Sequence, residues 1–124
     1  MQNYFDIAQK AAIAAGKIIK NNFHKKKHVS YKGRIDLVTD IDKQAEEIIV
    51  KIIRENFPEH NILAEETDFE NDQQSEFCWV IDPLDGTTNY VHEFPFVNVS
   101  IALQINNETQ VGVVFNPILA EFFY

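Results

Sequence analysis

The chain predicts an α+β fold, and three observations carry that expectation. Two stretches, one at the N-terminus and one around residue 50, repeat apolar residues every three or four positions, as amphipathic helices do. Beyond residue 60 the apolar residues come in short runs or alternate with polar ones, which is the strand pattern. The turns between the last strands are only a few residues long, so those strands should pair antiparallel. At 124 residues and 45% apolar composition, the chain fits one globular domain able to bury a core.

The first helix is expected from Tyr4 to about Phe23, with Phe5, Ala8, Ala12, Ala15, Ile19 and Phe23 on one face. Its alanines allow close packing against another helix. His24-Lys25-Lys26-Lys27-His28 follows as the one basic cluster. It reads as a solvated helix end, where lysines complement the macrodipole, with a polyanion contact as the other reading. Val29 to Val38 should be a strand–loop segment turning at Gly33, between Lys32 and Arg34. Thr39 or Asp40 caps a second helix, and Asp42 lies in its first turn, where negative charge is favoured. Ile41, Ala45, Ile48, Ile49, Ile52, Ile53 and Phe57 form its apolar stripe, and Pro58 ends it.

Asn61 to Ala64 reads as a short strand running into Glu65-Glu66, and the acidic stretch Asp68 to Glu76 as a mobile surface loop. Cys78 to Ile81 is a buried strand that should stop near Asp82, because Pro83 cannot donate to a ladder. Gly86 permits a tight turn, and Thr87 or Thr88 is the expected N-cap of a short helix. Tyr90 to Phe96 is a helical turn and loop closed by Pro95. Val97 to Ile105 and Thr109 to Phe115 are strands joined by a hairpin turn at Asn106-Asn107, and Ala120 to Tyr124 begins another after Asn116-Pro117. The last residues, Glu121-Phe122-Phe123-Tyr124, form an apolar strand without a polar cap, so this is expected to be the front part of a longer protein.

A net charge of −8 argues against a general nucleic-acid binder. Cys78 is the single cysteine, so an internal disulfide is excluded, and its apolar run marks it as a structural thiol. The N-terminal apolar residues are interrupted by Asp6, Gln9, Lys10 and Lys17, unlike a signal peptide, and every apolar run is too short to span a bilayer. A soluble, cytoplasmic protein is expected.

Three acidic sites stand at element boundaries: Asp40 with Asp42, Glu65 with Glu66, and Asp82 with Asp85. Strand ends and helix starts converge at one edge of a layered α/β structure, where ligands bind. Carboxylates brought together repel unless a cation neutralises them. With neither histidine nor cysteine beside these pairs, the donors are all oxygen, which favours magnesium or manganese over zinc. Such a site suits metal-assisted hydrolysis of a phosphate ester. Thr87 paired with Asp42 would orient the attacking water, and backbone N–H groups at Gly86 and Thr87 would hold the phosphate. Taken singly, each pair reads as readily as a helix cap or surface charge.

Asp82-Pro83-Leu84-Asp85-Gly86-Thr87-Thr88-Asn89 resembles the signature of the inositol monophosphatase family, magnesium-dependent and lithium-sensitive phosphatases. The likeness extends to Asp36-Leu37-Val38-Thr39-Asp40-Ile41-Asp42, to Ala64-Glu65-Glu66-Thr67 and to Phe94-Pro95-Phe96-Val97, in the family's order. It implies a layered α-β-α-β-α sandwich of the sugar-phosphatase type, with residues 1–124 as the N-terminal part of one catalytic domain. It further implies that Glu65, Asp82, the Leu84 carbonyl and Asp85 ligate two or three Mg2+ ions, with Mn2+ able to substitute and Li+ inhibitory. Thr87 with Asp42 would activate the water, Glu65 would join them as a catalytic residue, and Glu65, Leu84, Asp85, Gly86 and Thr87 would contact substrate. Lys32 falls near a loop lysine that relatives place close to the site. Where Ala64 stands family members usually have glycine, and their second signature, a Trp-Asp that completes the second metal site, lies beyond Tyr124. The implied substrate is inositol monophosphate or a similar sugar or polyol phosphate, with fructose 1,6-bisphosphate and nucleotide 3'-phosphates as family alternatives. A homodimer is implied as well. Some bacterial relatives act instead in RNA-linked transcription complexes, which makes a regulatory role the competing expectation.

Overall fold

The structure, a computed structural model, describes residues 2–26, 29–32, 36–64, 71 and 75–124, with the backbone alone at residues 2, 29–32 and 36–38. Two helices, α1 (Gln2–Asn21) and α2 (Asp40–Asn56), lie against one another. Small side chains make that approach close: Ala8, Ala11, Ala12 and Ala15 of α1 have no accessible surface, nor does Ala45 of α2. Ile41, Ile49, Ile52 and Ile53 complete the buried stripe of α2. The first helix ends two residues before Phe23, short of the expected bound. There the N–H of Phe23 turns to the Lys20 carbonyl at 3.3 Å, the tightened bonding usual at a helix end, and Phe23 stays buried beyond it. Between the helices, β1 (Val29–Lys32) and β2 (Asp36–Thr39) pair antiparallel with Val29 opposite Thr39. Gly33, the expected turn, lies outside the described residues.

The second layer is a five-stranded sheet of β3 (Asn61–Ala64), β4 (Phe77–Asp85), β5 (Asn98–Ile105), β6 (Glu108–Asn116) and β7 (Glu121–Phe123), in that spatial order. Strands β3 and β4 are parallel, and every other pair is antiparallel. A short helix, α3 (Thr87–Val91), leaves β4 before the chain returns as β5. The β5–β6 turn is the expected asparagine pair: Asn106 and Asn107 have φ of 52° and 67°, as a two-residue hairpin turn with both central residues left-handed requires.

The core lies between sheet and helices. Trp79 and Ile81 of β4, Val99, Ile101 and Leu103 of β5, and Val111 and Val113 of β6 all turn to that side. Helix α1 lies over β5 and β6, and α2 over β4. Burial of each large apolar side chain here stabilises the fold by about 1.5–3 kcal/mol. On the opposite face Leu63, Val114 and Phe123 remain exposed.

The expected end of β4 is corrected. Strand β4 does not stop at Asp82 but continues through Pro83 to Asp85. Asp82 pairs with Ser100 and Asp85 with Asn98, so Pro83 and Leu84 together oppose Val99 alone. This is a bulge, one of the few places where a proline fits within a sheet, because the extra residue has no ladder bond to lose. It also turns the strand end toward α3. The expected loop from Asp68 to Glu76 falls mostly outside the described residues. Within it, Asn71 pairs with both backbone groups of Ile62, its side chain donating to the carbonyl and accepting from the N–H at 3.0 Å each.

Candidate active site

The start of α2 fixes one carboxylate. Thr39 is the N-cap, in extended conformation at φ −109° and ψ 163°, and Asp42 is the third residue of the helix. Thr39 Oγ1 accepts the Asp42 N–H at 3.2 Å, and the Thr39 N–H donates to Asp42 Oδ1 at 2.8 Å. These two bonds form a capping box with aspartate in place of the usual longer acid. The Thr39 hydroxyl donates to the same Oδ1. Both residues are only 1% exposed, so the arrangement is held out of water.

The other oxygen of that carboxylate reaches across to the β4–α3 turn. Thr87 Oγ1 stands 2.9 Å from Asp42 Oδ2 and 3.2 Å from the Leu84 carbonyl. A hydroxyl has one proton to give, and the charged, nearer carboxylate is the stronger acceptor. That leaves the lone pairs of the Leu84 carbonyl for another donor or a cation. The pairing of Asp42 with Thr87, residues 45 apart in sequence, is the expected one.

The cap of α3 is not the expected one. Gly86 rather than Thr87 or Thr88 occupies the N-cap, at φ 91° and ψ 36°, and no side chain caps the helix. Only glycine enters that left-handed conformation without strain, and a Cβ there would lie 2.7 Å from the Phe96 carbonyl oxygen. Thr87 is thereby moved to the first helical position, which frees its hydroxyl for Asp42. Asn89 ties the same Phe96 carbonyl to the turn at 3.0 Å.

Asp82, half-buried at the bulge, accepts the Leu84 N–H on Oδ1 at 3.3 Å. Leu84 buries its side chain, and Asp85 is exposed. Strand β3 ends at Ala64, opposite Ile81 and one residue before Asp82. Glu65 and Glu66 lie outside the described residues, as does the side chain of Lys32. Among the described residues no three acidic, histidine or cysteine side chains group closely enough to hold a metal ion. The structure thus joins Asp42, Thr87 and Leu84, and places Asp82, Asp85 and Gly86 on the same strand end and turn.

Tyr90 is a supporting residue that the sequence pattern did not single out. It has no accessible surface, and its hydroxyl donates 2.8 Å to the Ile19 carbonyl, tying α3 to the end of α1. Burial, and then the charges of Asp42 and Asp40, push its pKa well above the ordinary tyrosine value, so it remains a donor. Nothing local in Asn89-Tyr90-Val91 foretells a bond to a residue 71 positions away. Cys78 is half-buried, and burial raises its pKa, in keeping with an unreactive structural thiol. In the basic cluster, exposed His24 Nδ1 meets Glu93 Oε1 at 3.1 Å, and Lys25 and Lys26 are exposed. Lys27 and His28 lie outside the described residues.

The chain as a whole is similar to known proteins. Inositol monophosphatase 3 of Solanum lycopersicum is 48% identical over 128 residues, covering 99% of this chain and 47% of that protein. The Nus factor SuhB of Pasteurella multocida is 42% identical over 125 residues, covering 99% of this chain and 47% of that protein. Among solved structures, the extragenic suppressor protein SuhB of Bartonella henselae superposes with a TM-score of 0.94 at 35% identity, over 98% of this chain and 48% of that one. The chain spans about half the length of the curated relatives it matches. The sequence model of one family accounts for residues 1–124 from end to end, and with the shared fold it settles the kinship: this chain belongs to the inositol monophosphatase family.

Proposed function

We propose that the protein carrying this chain hydrolyses a phosphate monoester of a small polyol or sugar, inositol monophosphate foremost, with magnesium as cofactor. Residues 1–124 act in it as the N-terminal part of one catalytic domain, in a cytoplasmic homodimer. The observation that carries this reading is the 2.9 Å bond from Thr87 Oγ1 to Asp42 Oδ2. A hydroxyl that donates to a buried carboxylate keeps its lone pairs for a water proton, so Thr87 and Asp42 together orient a water and draw off its proton. That pair stands beside the Leu84 carbonyl, on a strand end that also carries Asp82 and Asp85.

The donor set fits a hard cation. Two carboxylates and one carbonyl within four residues, with Glu65 as a further carboxylate, offer oxygen alone, which suits magnesium or manganese. When bound, magnesium supplies Lewis-acid charge to the phosphate oxygens and acidifies the attacking water. By family resemblance lithium inhibits, and Glu65, Leu84, Asp85 and the backbone of Gly86 and Thr87 contact the substrate. The left-handed turn at Gly86 brings the chain into α3 with no side-chain cap over its first N–H groups.

In the full-length protein, phosphate release from inositol monophosphate should require magnesium and should fall by about 100-fold or more in Asp82→Asn. Release that ignores magnesium, or that survives this substitution, would refute the mechanism. A panel of sugar, polyol and nucleotide phosphates then ranks the substrates.

The likeness to a Nus factor from Pasteurella multocida, together with exposed Lys25 and Lys26, favours a second reading as a partner in RNA-linked transcription complexes. Cellular function that persists in Asp85→Ala and is lost when Lys25, Lys26 and Lys27 are neutralised would decide for it.

A further inference from the structure

We propose that Thr39 is a positioning residue for the hydrolysis, one that pins Oδ1 of Asp42 so that Oδ2 alone faces Thr87. The inference rests on the phosphatase reading and adds a residue to it. The two oxygens of Asp42 are divided between different partners. Oδ1 receives both the backbone N–H and the hydroxyl of Thr39, and Oδ2 receives Thr87 Oγ1 at 2.9 Å. A carboxylate turns about a broad, two-fold terminal torsion, so its orientation is set by its partners rather than by its rotamer. With Oδ1 held from one side by two donors of a single residue, that torsion is fixed.

Helix capping alone does not require this arrangement. The cap needs the Thr39 oxygen to accept the Asp42 N–H, at 3.2 Å, and the Asp42 side chain to accept the Thr39 N–H. The hydroxyl proton of Thr39 is left over from that exchange, and it goes to the carboxylate. Both residues are 1% exposed, so water does not compete for the same oxygen. Thr39 thus completes a chain of three side chains, Thr39 to Asp42 to Thr87, that runs from the cap of α2 to the β4–α3 turn.

The test is steady-state kinetics of the full-length protein with magnesium and inositol monophosphate, comparing Thr39→Gly and Thr39→Ser in the wild-type and Thr87→Ala backgrounds. Glycine caps a helix almost as well as threonine but has no hydroxyl. Thr39→Gly should lower kcat by about ten-fold while KM and the magnesium half-saturation stay within about two-fold, the loss of one hydrogen bond to a charged group. Thr39→Ser should recover most of that loss. In the Thr87→Ala background, Thr39→Gly should cost almost nothing more, because the group it positions for is gone. Equal losses in both backgrounds, or no recovery by serine, would overturn the inference. If Thr39→Gly does not fold, Thr39→Val replaces it: valine keeps the shape of threonine but has no hydroxyl to donate, and kcat equal to that of Thr39→Ser would overturn the inference. An active wild type that loses activity in Thr87→Ala but not in Thr39→Gly defeats this inference alone. A wild type without magnesium-dependent hydrolysis defeats the phosphatase reading, and this inference with it.

Discussion

Tyr90→Phe removes one oxygen and should be felt two elements away. The Ile19 carbonyl lies in the last turn of α1, where helix carbonyls have no intrahelical donor, and the Tyr90 hydroxyl at 2.8 Å supplies one. Leaving such an acceptor unpaired in the core costs about 1–3 kcal/mol, so urea denaturation of the full-length protein should show a midpoint lowered to match, with the slope unchanged. Retained stability would mean that water replaces the hydroxyl. At this scale the sequence was most legible where chemistry is local. A Thr-Asp-Ile-Asp run announces a helix cap, and Asp42 with Thr87 follows from residue type once the family motif is recognised. Tyr90 was opaque for the opposite reason, since its partner is fixed only by how α3 packs on α1. The second use of Thr39 was hidden because the cap already accounts for the residue.

Two connections between elements decide how the sheet presents the site. At the β4–α3 turn, Gly86→Ala would place a Cβ 2.7 Å from a backbone oxygen at φ 91°. Backbone yields less than a side-chain tip, so the left-handed penalty of about 1–2 kcal/mol is joined by a clash. The turn should open, separating Thr87 from Asp42, and the full-length protein should lose most of the proposed phosphatase activity along with some stability. At the α2–β3 connection, His60 is stacked between Phe57 and Phe77, with ring centroids 4.7 and 4.3 Å away and planes within 6°. Its Nδ1 accepts from Trp79 Nε1 at 3.0 Å. Burial lowers its pKa below the ordinary 6.5, against a smaller opposing effect of Glu59. The unfolded chain therefore binds more protons than the folded one once the pH drops below about 6.5. The contribution of neutral His60 is complete above that pH, declines as the pH falls toward the lower folded pKa, and is gone below it. Melting temperatures between pH 8 and pH 5 should fall more steeply for the wild type than for His60→Gln. Parallel curves would show that His60 titrates as it does in the unfolded chain. The sequence marked this connection only as Pro58 ending a helix. It also misjudged Pro83, because the rule that bars proline from a ladder assumes a ladder without a bulge.

At the scale of the whole molecule, the alternation of the strands made one face of the sheet legible and left the other open. The residues that turn toward α1 and α2 are apolar without exception along Val99, Ile101 and Leu103, and the helices cover them. Their neighbours on the far face include Leu63, 58% exposed, and Phe123, 56% exposed, with Val114 paired to Phe123 across β6 and β7. A half-buried antiparallel sheet in water normally shows polar residues there. Phe94 and Phe96 are exposed as well, beside the turn that carries Gly86 and Thr87. Apolar surface of this kind promotes association unless charge opposes it, and the net charge of −8 does so only at low ionic strength. The 124-residue chain prepared alone should therefore bind the dye ANS and should shift to larger species in sedimentation velocity as salt is raised from about 20 to 500 mM. Leu63→Lys with Phe123→Lys should suppress both effects, since these positions face away from the core. A wild-type chain that stays monomeric and dark with the dye at high salt would show that this face is stable in water as it stands.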